Sequence, residues 1–108
     1  MKDMSEQMKE RISKWLEQLS EDEKSQAEVL DAYFTFRVNL PDNDPGIGKI
    51  ISEPKTTDEI IDDLQPMMPL SQNIVVGYLR SHGFGMTTIG DGSVKWAIWR
   101  VVENTDMT

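Results

Sequence analysis

The amino-acid sequence predicts a single α+β domain of 108 residues, in which helices come first and a β-hairpin comes last. Apolar residues recur at helical spacing through residues 8–37. Serine or threonine stands three residues before glutamate at the start of two predicted helices, which is the spacing of a helix-capping box, namely Ser20–Glu23 and Thr56–Glu59. Near the C-terminus, the segment Gly-Asp-Gly-Ser at 90–93 separates two β-prone segments, which is a strong hairpin signal.

Two helices are predicted in the N-terminal third. The first has an apolar face at spacings of three and four, with Ser5 as its candidate N-cap; the face consists of Met8, Ile12, Trp15, Leu16 and Leu19. The second begins at Ser20 and is expected to run to about Leu40, because Pro41 disfavours helical backbone in the residue before it. A single long helix bent near Ser20 is the alternative.

A loop, a short strand and two short helices are predicted next. Residues 41–48 are loop-like in composition, being rich in Pro, Gly, Asp and Asn, and residues 49–52 contain β-branched side chains that favour a brief strand. A third helix is expected after Thr56 and a fourth after Ser71. The fourth helix is expected to end at a left-handed Gly83, with the next aromatic ring packing back onto its last turn.

The predicted hairpin consists of strands at residues 86–89 and 94–102. The second strand is apolar on both of its alternating faces, with Val94, Trp96 and Ile98 on one and Ala97, Trp99 and Val101 on the other. A strand of this kind is either covered on both faces or partly open to a partner. Trp99 is expected to be the more exposed ring, because Trp96 can fill the inner face of the hairpin.

Three segments carry a family resemblance: TDEIIDDL at 57–64, SQNIVVGYLRSHGF at 71–84 and KWAIW at 95–99. With the element order helix, strand, helix, turn, helix, hairpin, they resemble a winged-helix domain, the helix-turn-helix variant with a β-hairpin wing. The resemblance covers roughly residues 48–102 and implies an α+β winged helix with an additional N-terminal helix. The expected parts are an N-terminal helix extension at 1–19, a winged-helix core at 20–102 and a flexible tail at 103–108.

The resemblance also implies that residues 71–81 form a recognition helix, which in DNA-binding members enters the major groove. Its exposed residues are expected to be Gln72, Asn73, Val76, Gly77, Arg80 and Ser81. Glutamine and asparagine read adenine and arginine reads guanine, so Gln72, Asn73 and Arg80 are candidate DNA contacts. Lys95 on the wing is expected near a phosphate. The pattern departs from that of a DNA binder because this helix has one arginine and the wing tip carries Asp91.

The charge distribution is acidic and uneven. The formal net charge is −8, which repels nucleic acid at long range. Residues 66–102 carry three bases against one acid, a net of +2, whereas residues 57–65 carry four carboxylates and no base. The C-terminal third is therefore locally basic within an acidic chain.

The composition argues against an enzyme or a metal protein. With no cysteine and one histidine, His82, the chain has no disulfide, thiolate or multi-histidine metal site. Asp42, Asp44 and Glu53 share part of the spacing of a calcium-binding loop, but Ile47 occupies the position that requires glycine. No catalytic residue, metal or cofactor is therefore predicted.

No apolar run approaches the roughly 20 residues of a membrane helix. The first ten residues are charged throughout, unlike a secretory signal peptide. We therefore expect no membrane association and a cytoplasmic protein.

Two functions are consistent with these patterns. The first is a non-enzymatic DNA-binding winged helix, such as a small transcriptional regulator, and it is slightly favoured by the polar groups of the recognition helix. The second is an acidic protein-interaction module on the same scaffold without nucleic-acid binding, with Trp15 and Trp99 as candidate partner contacts. A homodimer through the N-terminal helix would be one such partnership. An acidic mimic of DNA is a weaker third option.

Overall fold

The computed structural model of the chain describes residues 6–39 and 49–102. In order, the elements are helices α1 (Glu6–Glu17) and α2 (Glu21–Tyr33), a 3₁₀ turn (Phe34–Phe36), strands β1 (Arg37–Val38) and β2 (Lys49–Ser52), helices α3 (Thr57–Leu64) and α4 (Gln72–Ser81), and strands β3 (Met86–Thr88), β4 (Val94–Trp96) and β5 (Trp99–Val102). These elements confirm the α+β fold class. The predicted N-cap Ser5, loop 41–48 and tail 103–108 lie outside the described residues. Within those residues, no helix has the length and apolar character needed to cross a bilayer.

The helices begin where the sequence predicts. The Ser20 hydroxyl accepts a hydrogen bond from the Glu23 backbone N–H at 3.2 Å, and the Glu23 carboxylate accepts one from the Ser20 N–H at 2.9 Å. Thr56 and Glu59 form the same reciprocal pair at 3.0 and 2.9 Å. Ser71 caps α4 by accepting from the third N–H of the helix at 3.3 Å. Each such cap stabilises its helix by about 1 kcal/mol.

The predicted end of α4 is also confirmed. Gly83 has a φ of 84°, the left-handed conformation that a residue without a Cβ adopts most easily. The Phe84 N–H donates to the Leu79 carbonyl at 2.9 Å, and the Phe84 ring lies 5.0 Å from that of Phe34. The chain therefore turns back onto the core as soon as α4 ends.

The second helix is shorter than the sequence predicts. α2 ends at Tyr33 rather than near Leu40, and the chain passes through the 3₁₀ turn into β1. Two contacts at Arg37 account for the difference: its guanidinium donates to the Tyr33 carbonyl at 2.8 Å and lies 3.9 Å above the Tyr33 ring. Pairing of Arg37 with Arg100 in β5 then holds this residue in extended backbone. Tertiary pairing thus overrides the helical spacing.

The predicted long strand 94–102 is two strands, which is a second correction. β4 pairs with β3, β5 lies between β1 and β2, and every pairing is antiparallel. Between β4 and β5 the Ala97 N–H donates to the Gly85 carbonyl at 2.7 Å, and the Ile98 carbonyl accepts from the Glu53 N–H at 2.7 Å. The break keeps the backbone paired while the Ile98 side chain is fully buried. β3 ends at Thr88, one residue before the predicted end.

The core lies between α2, α3, α4 and the segment that joins β4 to β5. Its buried side chains are Leu30, Phe34, Ile60, Leu64, Leu70, Ile74, Val75, Tyr78, Leu79, Trp96 and Ile98. The apolar side chains of α3 and α4 recur at spacings of three and four, so each helix turns one face inward. On the inner face of the second predicted strand Trp96 and Ile98 are buried and Val94 is exposed, whereas Trp99 and Val101 on the other face are half-buried.

Helix α1 packs against α4. The Trp15 indole lies over Gly77 and meets the Tyr78 ring edge-on at a centroid distance of 6.1 Å. Arg11 Nε donates to the Ser81 carbonyl at 3.3 Å. Two residues expected to be exposed on α4 are therefore covered: Gly77 lies beneath the indole, and Ser81 is buried.

The contact between Trp15 and Gly77 predicts an unusual sign for a helix substitution. Gly→Ala within a helix normally stabilises a protein by about 1 kcal/mol. A Cβ at Gly77 would lie 2.9 Å from Trp15 Cε2, so we expect Gly77→Ala to lower the free energy of unfolding by roughly 1–2 kcal/mol because the indole must move. In a Trp15→Ala background the same substitution is expected to be stabilising. Denaturant unfolding of the four proteins measures both effects, and equal stabilisation in the two backgrounds would contradict this packing.

Candidate functional site

The outward side of α4 carries a polar stripe, which we call the α4 stripe and which consists of Gln72, Asn73, Val76 and Arg80. Gln72, Val76 and Arg80 are four residues apart, so they lie along one line of the helix. The opposite side of α4 faces the core. Gln72, Asn73 and Arg80 are exposed, as expected, and Val76 is half-buried. The stripe is therefore the accessible surface that remains on α4 once α1 and the core are in place.

A groove of about 310 Å³ lies between the α4 stripe and the β3–β4 hairpin. Three elements line it: the start of α3 supplies Thr56, Thr57 and Asp58, α4 supplies Gln72 and Val76, and the hairpin supplies Met86, Val94 and Trp96. Met86 is the cross-strand partner of Trp96, and Val94 lies two residues before Trp96 on β4, so the three side chains share one face of the hairpin. Met86 is 53% and Val94 54% exposed, so this wall of the groove presents apolar surface to the solvent.

The charged group in the groove is a carboxylate. Asp58 is the one charged side chain among the eight described residues that line the groove. Its Oδ1 accepts a hydrogen bond from Gln72 Nε2 at 2.8 Å. Gln72, predicted as an adenine reader, is thereby held across the groove by an acidic partner. A ligand that approached this residue would meet a negative charge first.

Lys95, the predicted phosphate contact, lies on the other face of the hairpin. Lys95 pairs with Thr87 and lies between Val94 and Trp96, the two β4 residues that line the groove. Because side chains alternate along a strand, its side chain is on the opposite face. Its ammonium nitrogen is 3.3 Å from both carboxylate oxygens of Glu59. The Thr56 backbone N–H lowers the pKa of Glu59, and Lys95 lowers it further. The charge of Lys95 is therefore balanced by a carboxylate within hydrogen-bond distance.

Other bases near the hairpin are paired in the same way. Lys55 contacts Asp63 at 2.7 Å. Arg37 and Arg100 both donate to Glu53, at 3.0 and 2.8 Å. The positive balance of residues 66–102 thus does not form a basic surface, since Lys95 and Arg100 are matched by acids from earlier in the chain. On the α4 stripe the positive charge comes from Arg80.

The tryptophans predicted as partner contacts do not line the groove. Trp15 is occupied by its contact with α4. Trp99 is half-buried in β5, where it pairs with Val38 on one side and Ser52 on the other. The tryptophan that does line the groove is Trp96, whose ring is buried and whose Nε1 donates to Thr57 Oγ1 at 2.9 Å.

His82 lies in a cluster of hydrogen-bonded side chains at the end of α4. Its ring stacks on Tyr78 at a centroid distance of 3.8 Å, and its Nδ1 lies 2.8 Å from the Tyr78 carbonyl. The neighbouring Ser81 hydroxyl is buried and donates to the same carbonyl at 3.0 Å. The Tyr78 hydroxyl donates to Asp31 at 2.7 Å. These groups therefore satisfy one another at the end of α4.

The calcium-like spacing gains no support. Asp42 and Asp44 lie outside the described residues, and Glu53 is engaged by two arginines. Residues 6–39 and 49–102 contain no cluster of three or more acidic or histidine side chains suited to a metal ion.

Comparison with protein-family models, with curated proteins and with solved structures finds no match to this chain. The groove and the α4 stripe are therefore the features from which a function can be inferred.

Burial of His82 predicts a pH dependence of stability. Burial lowers its pKa in the folded protein, against the smaller opposing effects of the Tyr78 carbonyl and Asp31. On acidification the unfolded chain takes up a proton near pH 6.5, before the folded protein does, so stability falls as the pH decreases. We expect the free energy of unfolding to decrease as the pH is lowered from about pH 7.5 to about pH 5.5.

The variant His82→Phe keeps a ring against Tyr78 but does not titrate. Because the chain has one histidine and carboxylates titrate mostly below about pH 5, its stability is expected to be nearly constant over this interval. Urea unfolding at several pH values makes the comparison. An equal slope for both proteins would show that His82 is not the group responsible.

Proposed function

We propose that this chain is a non-catalytic binding module whose groove and α4 stripe bind a protein partner. The observation that carries the proposal is the apolar wall of the groove, where Met86 and Val94 are each more than half exposed beside Val76. Such surface in a concave site rimmed by polar groups suits the side chains of a protein segment. Thr56, Thr57 and Gln72 supply the polar rim.

The topology supports a winged-helix scaffold for this module. The β3–β4 hairpin follows α4 directly, as a wing follows a recognition helix. β2 pairs with β5, and Lys55 just beyond β2 pairs with Trp96 of β4. The chain just after β2 thereby adds a third strand-like segment beside β4 of the hairpin. Helix α1 is an additional element at the N-terminus of this scaffold. On this scaffold the groove lies between the recognition helix and the wing.

The charges favour a protein partner over DNA. Binding to duplex DNA depends on lysines and arginines that displace counterions from phosphates. Here Lys95 is engaged by Glu59, and Gln72 is engaged by Asp58. DNA binding would have to break these contacts and overcome a net charge of −8. Binding of a protein segment has neither requirement.

DNA recognition by a small transcriptional regulator is the second candidate. One observation favours it: Gln72, Asn73 and Arg80 are all exposed on the α4 stripe. Asparagine can bond adenine and arginine can bond guanine in the major groove. Arg80 would supply the positive charge, and Lys95 would have to leave Glu59 to reach a phosphate.

A matched pair of methionine variants tests the protein-binding proposal. Met86 lines the groove, whereas Met67 is 70% exposed in the turn between α3 and α4. Peptides are first selected from a random dodecamer display library for binding to the wild-type protein. We expect them to bind Met67→Glu with the same affinity as the wild type. Met86→Glu is expected to weaken binding at least tenfold, because a carboxylate replaces apolar surface in the contact. Peptides that bind both variants equally would show that the groove is not the binding site.

Fluorescence anisotropy with mixed-sequence duplex DNA tests the second candidate. We expect no salt-sensitive binding at low or moderate ionic strength, because Lys55, Lys95 and Arg100 are already paired with carboxylates. The matched control for Arg80→Glu is Lys24→Glu on α2, which changes the net charge by the same amount but lies away from the α4 stripe. Binding that is lost in Arg80→Glu but kept in Lys24→Glu would favour DNA over a protein partner.

A further inference from the structure

The proposed groove has a chemical preference of its own. We infer that its partner is a protein segment that presents a lysine or arginine beside a large apolar side chain. The inference rests on the proposed function and adds the identity of the two side chains that the groove selects. The basic side chain is assigned to Asp58 and the apolar one to the wall formed by Val76, Met86 and Val94.

The basic preference follows from Asp58. This carboxylate is the one charge among the described groove-lining residues, and it is exposed. A carboxylate offers about four lone-pair sites, so the single hydrogen bond from Gln72 leaves room for a guanidinium or ammonium group. Gln72 also fixes the direction of the carboxylate toward the groove, which reduces the entropy lost when a cation binds.

Neighbouring charges reinforce this preference. Glu59 and Lys95 balance each other on the far face of the hairpin. Arg80 is eight residues beyond Gln72 on α4, which corresponds to about 12 Å along the helix, a distance at which its repulsion in water is largely screened. The net charge of −8 adds long-range attraction for a basic segment. An acidic or phosphorylated segment would instead place its negative charge next to Asp58, which would repel it.

The apolar preference follows from the hairpin wall and from the size of the groove. Met86 and Val94 expose adjoining apolar surface, and the flexible, polarisable methionine side chain adapts to ligands of different shape. A volume of about 310 Å³ is at the small end of ligand-binding sites in proteins. The groove therefore suits the side chains of a short segment better than it suits a broad folded surface.

A double-mutant cycle between the protein and a peptide tests the inference. The probes are fluorescein-labelled peptides chosen from the dodecamer selection and their analogues with each basic residue replaced by glutamine. We expect the selected sequences to be enriched in lysine or arginine beside a large apolar residue. Asp58→Asn is expected to weaken binding of the basic peptide about tenfold and to change binding of the glutamine analogue less than twofold, because a cation–carboxylate pair is lost only in the first case.

Asp62→Asn is the matched control, since Asp62 is exposed on the same helix but does not line the groove. It is expected to bind both peptides as the wild type does. Peptides without basic residues that bind Asp58→Asn normally but lose affinity for Met86→Glu would overturn the inference and leave the proposed function standing. Peptides insensitive to Met86→Glu would overturn the proposed function itself.

Discussion

The position of Trp96 is the constraint on which the proposed binding surface depends. Its ring is buried in the core, and its Nε1 donates to Thr57 Oγ1 at the start of α3. Its backbone N–H donates to the Lys55 carbonyl at 2.8 Å, and its carbonyl accepts from the Lys55 N–H at 3.3 Å. One residue thus joins the hairpin to α3, to the extension of β2 and to the core. Because Trp96 is fixed, its cross-strand partner Met86 and nearby Val94 are held at the edge of the groove.

The same arrangement explains why a locally basic sequence does not give a basic surface. Lys95 follows Val94 in the strand, so strand alternation turns it away from the groove, toward Glu59. Glu59 in turn is held at the start of α3 by its capping bond to Thr56. Local helix capping and hairpin register therefore neutralise the lysine that the sequence assigns to a phosphate. The charge that remains in the groove is the negative charge of Asp58, and this is the basis of the proposed preference for a basic partner.

Features set by neighbouring residues could be predicted from the sequence, and features set by distant contacts could not. The caps at Ser20, Thr56 and Ser71 and the left-handed Gly83 depend on residues at most four positions away. The early end of α2 depends on pairing with β5, more than 60 residues later, as the partnership of Arg37 with Arg100 illustrates. No periodicity in the sequence reports such a pairing.

The candidate site divides in the same way. Exposure of Gln72, Asn73 and Arg80 followed from the amphipathic pattern of α4, whereas the cover over Gly77 and Ser81 required the position of α1. The sequence does not distinguish Asp58 as a site residue, because carboxylates in a first helical turn are common and only tertiary structure places this one beside Gln72. The alternation of the sequence places Val94 on the same strand face as Trp96, but only the structure shows that Val94 is exposed while Trp96 is buried.

Methyl NMR of the protein labelled at its methionine ε-carbons tests the central claim most directly, because the methyl resonances report where on the protein the peptide binds. The titrant is a selected peptide with a basic and an apolar residue. The account predicts a large shift of the Met86 methyl resonance and little change at Met67, which is exposed at the opposite end of α3. A shift at Met67 without one at Met86 would contradict the claim that the groove between α4 and the hairpin is the binding site.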